Sequence, residues 1–247
     1  MNKAILVTGA SRGIGRATAL LAAKRGWSVV VNYAGNEAAA AEVVAAIAKD
    51  DGAAIAVKGD VSQEADVLAM FDAAEKLGSL RGVVANAGVI APTTTLAEAD
   101  IGRMRRLFEV NVLGTYLTAR EAARRMPLSR GGQGGSVVVV SSAAARLGSP
   151  FEYVDYAGSK GALDTLAIGL GKELAGDGVR VNAVRPGLID TEIHIDSGQP
   201  QRAYTLGVTT PMRRAGSAAE VAEAIVWLLS DAASYMTGAV IDVSGGR

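Results

Sequence analysis

The chain contains no cysteine and a single histidine in 247 residues. Without cysteine there are no disulfides, no thiolate nucleophile and no cysteine-held zinc, and nothing points to an oxidising compartment. The lone imidazole, His194, is the one histidine base available. Aromatic residues are scarce at 4%, so the interior must be filled mainly by Ala, Val, Leu and Ile. Charge of one sign is missing too: 25 Lys and Arg balance 25 Asp and Glu. No global field draws the chain to nucleic acid or to an acidic membrane surface, which leaves a small molecule as the expected partner. No apolar run approaches the ~18 residues of a membrane span. Residues 1–8 run straight into a glycine turn and are too short for a secretory signal. These absences predict a soluble, unprocessed, cytoplasmic protein.

What the chain does have is alternation. Short apolar runs lie at 4–8, 28–32, 54–57, 82–86, 137–141, 179–184 and 239–243, separated by Ala-rich stretches of helical period near 13–25, 37–50, 63–77, 100–126, 154–175 and 218–230. The runs are apolar throughout rather than every second residue, as expected of strands covered on both faces. The right-handed crossover rule then predicts one domain over 1–247: a doubly wound parallel sheet of about seven strands, Rossmann-like. Ser62, Asp100 and the pair Ser217 and Glu220 read as caps at helix starts. The stretch from Gly187 to Ala215 is polar and irregular, which predicts a substrate lid over about 188–215.

Thr8–Gly15, TGASRGIG, joins the first strand to the first helix. Gly9 permits the tight turn, Gly13 lets backbone approach a pyrophosphate, and Gly15 allows close helix packing. Amides around Ser11, Arg12 and Ile14 then face the phosphates with the helix dipole behind them. The same residues also satisfy G-x-S-x-G, the nucleophile elbow of serine hydrolases. That pattern needs an oxyanion loop from an earlier strand, yet only one strand precedes Ser11, and His194 would have to be the base.

Strand ends supply the rest of the dinucleotide site. An acid closing the second strand would bind a ribose 2′-hydroxyl and repel a 2′-phosphate. Here the position holds Asn32, followed by Tyr33, while Arg12 offers a cation, so NADP(H) is expected over NAD(H). Asp60 and Val61 close the third strand, where they can meet the adenine. Asn86, Ala87 and Gly88 close the fourth.

Tyr156 and Lys160 are spaced to share one helix face. A phenol is a poor base near neutrality, and a neighbouring ammonium lowers its pKa, so Lys160 is expected to tune Tyr156 and to hold the nicotinamide ribose. Ser142, after the fifth strand, can orient a substrate oxygen. Asn111, inside a helix, suggests a polar task such as holding a water.

Together these motifs resemble the short-chain dehydrogenase/reductase family over essentially the whole chain. The turn resembles its TGxxxGxG motif, Asn86-Ala87-Gly88 its NAG motif, and Asn111, Ser142, Tyr156 and Lys160 its catalytic tetrad. Ser142 lies fourteen residues before Tyr156, where thirteen is commoner and would select Ala143. Pro186-Gly187 resembles the family's PG turn, with Ile189 and Thr191 at positions that contact the carboxamide. The resemblance implies an oxidoreductase interconverting a ketone and a secondary alcohol, with Tyr156 as general acid or base, and a homotetramer. Within the family, 3-oxoacyl-carrier-protein reductases and sugar dehydrogenases are both similar. An acidic carrier would dock on a basic patch, for which Arg103, Arg105, Arg106, Arg120, Arg124, Arg125 and Arg130 are the candidates. A non-catalytic dinucleotide-binding regulator would be expected to lose part of the tetrad, and all four residues are present.

Overall fold

The computed structural model describes residues 2–247. In chain order the elements are β1 (Lys3–Val7), α1 (Gly13–Lys24), β2 (Ser28–Tyr33), α2 (Glu37–Lys49), β3 (Ala54–Lys58), α3 (Glu64–Leu77) and β4 (Ser79–Ala85). They continue with α4 (Ile101–Leu107), a π-helical segment (Phe108–Gly114), α5 (Thr115–Arg125), β5 (Gly135–Val140), α6 (Ala144–Leu147), α7 (Val154–Leu174) and β6 (Val179–Pro186). The last part comprises β7 (Ile189–Asp190), α8 (Ile193–Asp196), α9 (Arg202–Gly207), β8 (Gly216–Ser217), α10 (Ala218–Leu229) and β9 (Val240–Val243).

Seven strands form one parallel sheet in the order β3-β2-β1-β4-β5-β6-β9, as the alternating pattern predicts. The strand pleat sorts each apolar run between two layers. Ile5, Val7, Val29, Val31, Val138 and Val140 face α1, α2 and α10. Leu6, Val30, Val137 and Val139 face the other way, against Phe71 and Met70 of α3 and Leu163 of α7. With both faces covered, the strand centres are mostly apolar, which is why the runs lack alternation, and the buried exceptions are hydrogen-bonded, Asn182 in β6 to Met236 O and Ala239 N and Ser136 in β5 to Leu228 O. The order reverses between β1 and β4, so the carboxyl ends of those strands diverge and open a crevice there.

Three local expectations are corrected. Ser62 does not cap α3: its amide and hydroxyl both bond Asp60 Oδ1, at 2.9 and 2.7 Å, and Gln63 occupies the cap position with no side-chain capping bond. An Asx turn has captured the serine. The helix expected over 100–126 is instead interrupted by the π segment, and the lid is not structureless, since α8 and α9 lie in it. Asp100 does cap α4, accepting from Arg103 N at 2.9 Å, and Ser217 with Glu220 completes a capping box on α10.

Candidate active site

At the turn after β1, Gly9 and Gly13 have φ of +62° and +52°, a region open to glycine at little cost. A Cβ on Gly15 would lie 2.3 Å from Gly9 O and 2.5 Å from Asn86 Nδ2, so no side chain fits. The turn is stitched to β4: Asn86 Nδ2 donates to Thr8 O at 2.8 Å and Gly9 O at 3.1 Å, while Thr8 Oγ1 accepts from the amides of Asn86 and Ala87 at 2.9 and 3.0 Å. Rigid stitching keeps the turn's amides aimed outward before any phosphate arrives.

Asn32 takes a different part from the one expected. It is buried, accepts from Gly9 N at 3.0 Å and donates to Gly59 O at 3.0 Å and Val57 O at 3.3 Å. Its amide therefore braces the ends of three strands and has little left for a ribose. Beyond it the cleft has an uncharged corner formed by Tyr33, Ala34, Gly35 and Asn36. Arg12 is neither free nor simply solvated: its guanidinium pairs with Asp196 of α8, one of the two contacts measuring 3.3 Å. Asp60 is also partly committed. Burial works to raise its pKa, but bonds from Ser62 and the nearby Arg106 outweigh that and lower it.

The other end of the cleft lies across β5 and α7. Tyr156, Lys160 and Ser142 border the same cleft as the glycine turn, a cavity of about 530 Å³ that also takes in Asp60, Val61, Ala87, Gly88, Pro186, Gly187, Ile189 and Thr191. Among the expected site residues, Gly15 and Asn111 stand behind its wall. Burial pushes the Tyr156 phenol up to about 12, with the nearby Ser142 hydroxyl pulling the other way. Lys160 is buried, donates from Nζ to Val140 O at 2.9 Å, and sits 5.7 Å from the Tyr156 ring centre. The expectation that Lys160 by itself acidifies the phenol is thus corrected: in this state desolvation dominates. The same burial drops Lys160 to about 8, against the upward pull of Asp164.

Asn111 is fully buried in the π segment. Its Oδ1 accepts from Val89 N at 2.8 Å, and its Nδ2 donates to Val89 O at 2.9 Å and Ser159 Oγ at 3.2 Å. Both donors are spent on protein, so the side chain ties the loop after β4 to α7. A Cβ on Gly88 would come within 3.3 Å of Asn111 Oδ1 and 3.4 Å of Lys160 Nζ, which places the three groups together. The π turn widens the helix and lets Asn111 reach inward, a disposition typical of functional helices.

At this end Glu152, Tyr153 and Asp155 carried no sequence signal, whereas Arg202 and His194 lie in the irregular stretch read as a lid that could meet an anionic or polyhydroxylated substrate. Glu152 binds Arg202 of α9 through both carboxylate oxygens, one contact at 2.8 Å, and Arg202 stacks on Tyr153, 5.1 Å from its ring centre. Asp155 holds Arg103 at 2.7 Å, with both side chains under a tenth exposed. His194, whose pKa is lowered mainly by burial, bonds Ile189 O at 3.0 Å through Nε2 and makes no hydrogen bond to Ser11, which leaves the hydrolase pattern without its base. The supposed docking patch is largely neutralised: Arg103 pairs with Asp155, Arg106 with Asp60, Arg120 with Glu64, Arg124 with Glu121, and Arg125 with Glu121, Asp72 and Glu75.

Lys160 also sets a pH dependence of stability. Its pKa falls from 10.5 to about 8 on folding, so between those values the unfolded chain binds more protons and stability rises with pH, the penalty of a buried ammonium being relieved. Tyr156, raised from 10.0 to about 12, opposes this above pH 10. Urea unfolding at pH 8 and pH 10 should therefore show a gain in the wild type that Lys160→Met lacks. Equal gains in both proteins would rule out a buried, titrating Lys160.

Residues 9–247 match a family model described as enoyl-(acyl carrier protein) reductase. The chain is 52% identical over 243 residues to an uncharacterized oxidoreductase, YgfF, of Escherichia coli (strain K12), covering 98% of each. It is 41% identical to an L-rhamnose 1-dehydrogenase (NAD(P)(+)) of Sphingomonas sp. (strain SKA58), covering 99% of this chain and 95% of that one. Among solved structures it superposes on levodione reductase with a TM-score of 0.91 at 28% identity, covering 99% and 96% of the two chains.

Proposed function

The chain belongs to the short-chain dehydrogenase/reductase family of nicotinamide-dinucleotide oxidoreductases, and we propose that it interconverts a ketone and a secondary alcohol with NADP(H) as its preferred cofactor. The observation that carries this reading is that one continuous cleft runs from the Gly9–Gly13 turn to Tyr156, with Ser142 lining the same end of it. The glycines leave a cradle that Cβ atoms would fill, and among the described residues no cluster suited to a metal ion competes for the role.

The turn amides and the start of α1 would hold the pyrophosphate, Tyr33 and Val61 would enclose the adenosine end, and Ile189 and Thr191 would meet the carboxamide. Bound there, the nicotinamide supplies a hydride donor or acceptor. Tyr156, protonated across the neutral range by its raised pKa, is set to donate a proton to a carbonyl oxygen held by Ser142. Lys160, one helical turn away, offers its remaining ammonium hydrogens to the ribose hydroxyls. Asn111 fixes the loop carrying Gly88 and Val89, and through Ser159 it fixes α7.

Cofactor choice follows from the uncharged ribose corner and Arg12. A 2′-phosphate would replace the Asp196 carboxylate on the guanidinium, a charge-assisted bond on a half-exposed group. Arg12→Ala is expected to raise KM for NADPH about tenfold and leave KM for NADH little changed. Equal effects on both cofactors would remove Arg12 from the selection. Assembly into a homotetramer fits the exposed Ile101, Phe108 and Tyr116 on the α4–α5 rod and Val154 and Ile168 on α7. A single-chain mass by light scattering would contradict it. A panel of ketones, oxoacyl thioesters and sugars followed by NADPH absorbance tests the reaction class, and no turnover of any member would count against it.

A further inference from the structure

Tyr153 lines the substrate end of the cleft, is 3% exposed, and its hydroxyl has no hydrogen-bond partner. A buried phenol oxygen without a partner is uncommon, because desolvation is then uncompensated. Its ring meets that of Tyr156 edge-on with centres 6.5 Å apart, so the two phenols address neighbouring parts of one substrate space. Arg202 lies over the Tyr153 ring and is anchored by Glu152, which seats the lid on this corner. The second orphaned polar atom of the cleft, His194 Nδ1, belongs to the lid as well.

The carboxylate of Glu152 at this corner is already taken by arginine. Arg202 is committed to Glu152, Arg247 acts on the same carboxylate, and burial keeps His194 on the neutral side. What stays without a partner at this corner is the hydrogen-bonding capacity of two neutral groups, the Tyr153 hydroxyl and His194 Nδ1.

We infer that Tyr153 is a substrate-orienting residue that bonds a second hydroxyl of an uncharged, polyoxygenated substrate, held beside the carbonyl that Tyr156 protonates. The inference rests on the oxidoreductase reading above and adds the class of substrate. A site built around an unpaired hydrogen-bonding group discriminates strongly against the analogue that lacks the matching oxygen, since the protein group then stays unpaired. The Tyr153 hydroxyl makes no bond within the protein, so Tyr153→Phe should fold as well as the wild type or better.

The test is NADPH-dependent reduction of matched pairs, cyclic and open-chain, each a plain ketone and its α-hydroxy counterpart, by wild type and Tyr153→Phe, with thermal melting run on both. The expected result is a wild-type preference for the hydroxy ketone of at least about tenfold in kcat/KM. Tyr153→Phe should lose that preference while the plain ketone changes little and the melting temperature does not fall. An unchanged preference in the variant, an equal loss on both members of each pair, or reduction of plain ketones alone overturns the inference and leaves the oxidoreductase reading in place. Turnover of no ketone by the wild type overturns both.

Discussion

Tyr156→Phe is expected to keep NADPH affinity within about twofold and to lose at least about 100-fold in turnover, the lower end of what a positioned general acid contributes. The substitution removes one oxygen and keeps the ring, so the edge-on contact with Tyr153 and the packing of α7 survive. What goes is the phenol hydroxyl that shares the cleft with Ser142 and the glycine turn. The raised pKa is consistent with this use: a phenol near 12 stays protonated at neutral pH, which suits donation to a developing alkoxide. For the reverse reaction it must lose that proton, so alcohol oxidation should accelerate with pH while reduction does not. Near-normal turnover in the Phe variant, by stopped-flow or steady-state absorbance, would remove Tyr156 from the chemistry.

Asp155→Ala is expected to destabilise the fold by about 3–5 kcal/mol, the range for leaving one member of a buried ion pair alone. Asp155 binds Arg103 at 2.7 and 3.2 Å, with both side chains under a tenth exposed, and also accepts from Tyr156 N at 2.8 Å. Its loss leaves the Arg103 guanidinium with Pro92 O as its remaining partner. Against a total stability of roughly 5–15 kcal/mol this is a large fraction. Breaking the half-exposed Arg12–Asp196 pair should cost no more than about 1 kcal/mol. Replacing Arg103 and Asp155 together by Met and Leu should recover most of the loss, because no charge is then stranded. Although burial opposes it, Arg103 and the Tyr156 amide hold the Asp155 carboxyl below its ordinary 3.8. The pair's contribution is therefore intact above that pH and is lost as acid protonates the carboxyl below it. Denaturant titrations of the two variants beside the wild type check the prediction, and a single-variant cost below about 1 kcal/mol would refute it.

The parts legible in sequence were those whose cause is local. Apolar runs such as Ser28–Tyr33 can only be covered strands, and glycines at 9, 13 and 15 mark positions where a Cβ is strained or has no room. Their union into a seven-stranded sheet followed from general connection rules, and the residues expected to serve the cofactor and the reaction fall on one cleft or directly behind it. Illegible were features decided by distant pairing. Asn32 could be placed at a strand end, but not its use of both ends of its amide on Gly9 and Gly59. Arg103 and Asp155 lie 52 residues apart, and neither one's surroundings in sequence announce the other. The arginines read as a basic patch because several of their partners sit on other elements, Glu64, Asp72 and Glu75 on α3 among them. The tuning of Tyr156 was misjudged for a similar reason. Spacing on a helix shows that Lys160 shares its face, but not that the ammonium turns to Val140 O and that desolvation prevails.

The most direct test of the whole reading is the fate of the hydride. NADPH deuterated at C4, supplied with a ketone that the enzyme reduces, should place one deuterium on the carbinol carbon of the product by NMR, with one face of the nicotinamide used exclusively. Deuterium appearing in water, or product formed without label from either face, would mean that carbon–hydrogen transfer does not take place beside Tyr156.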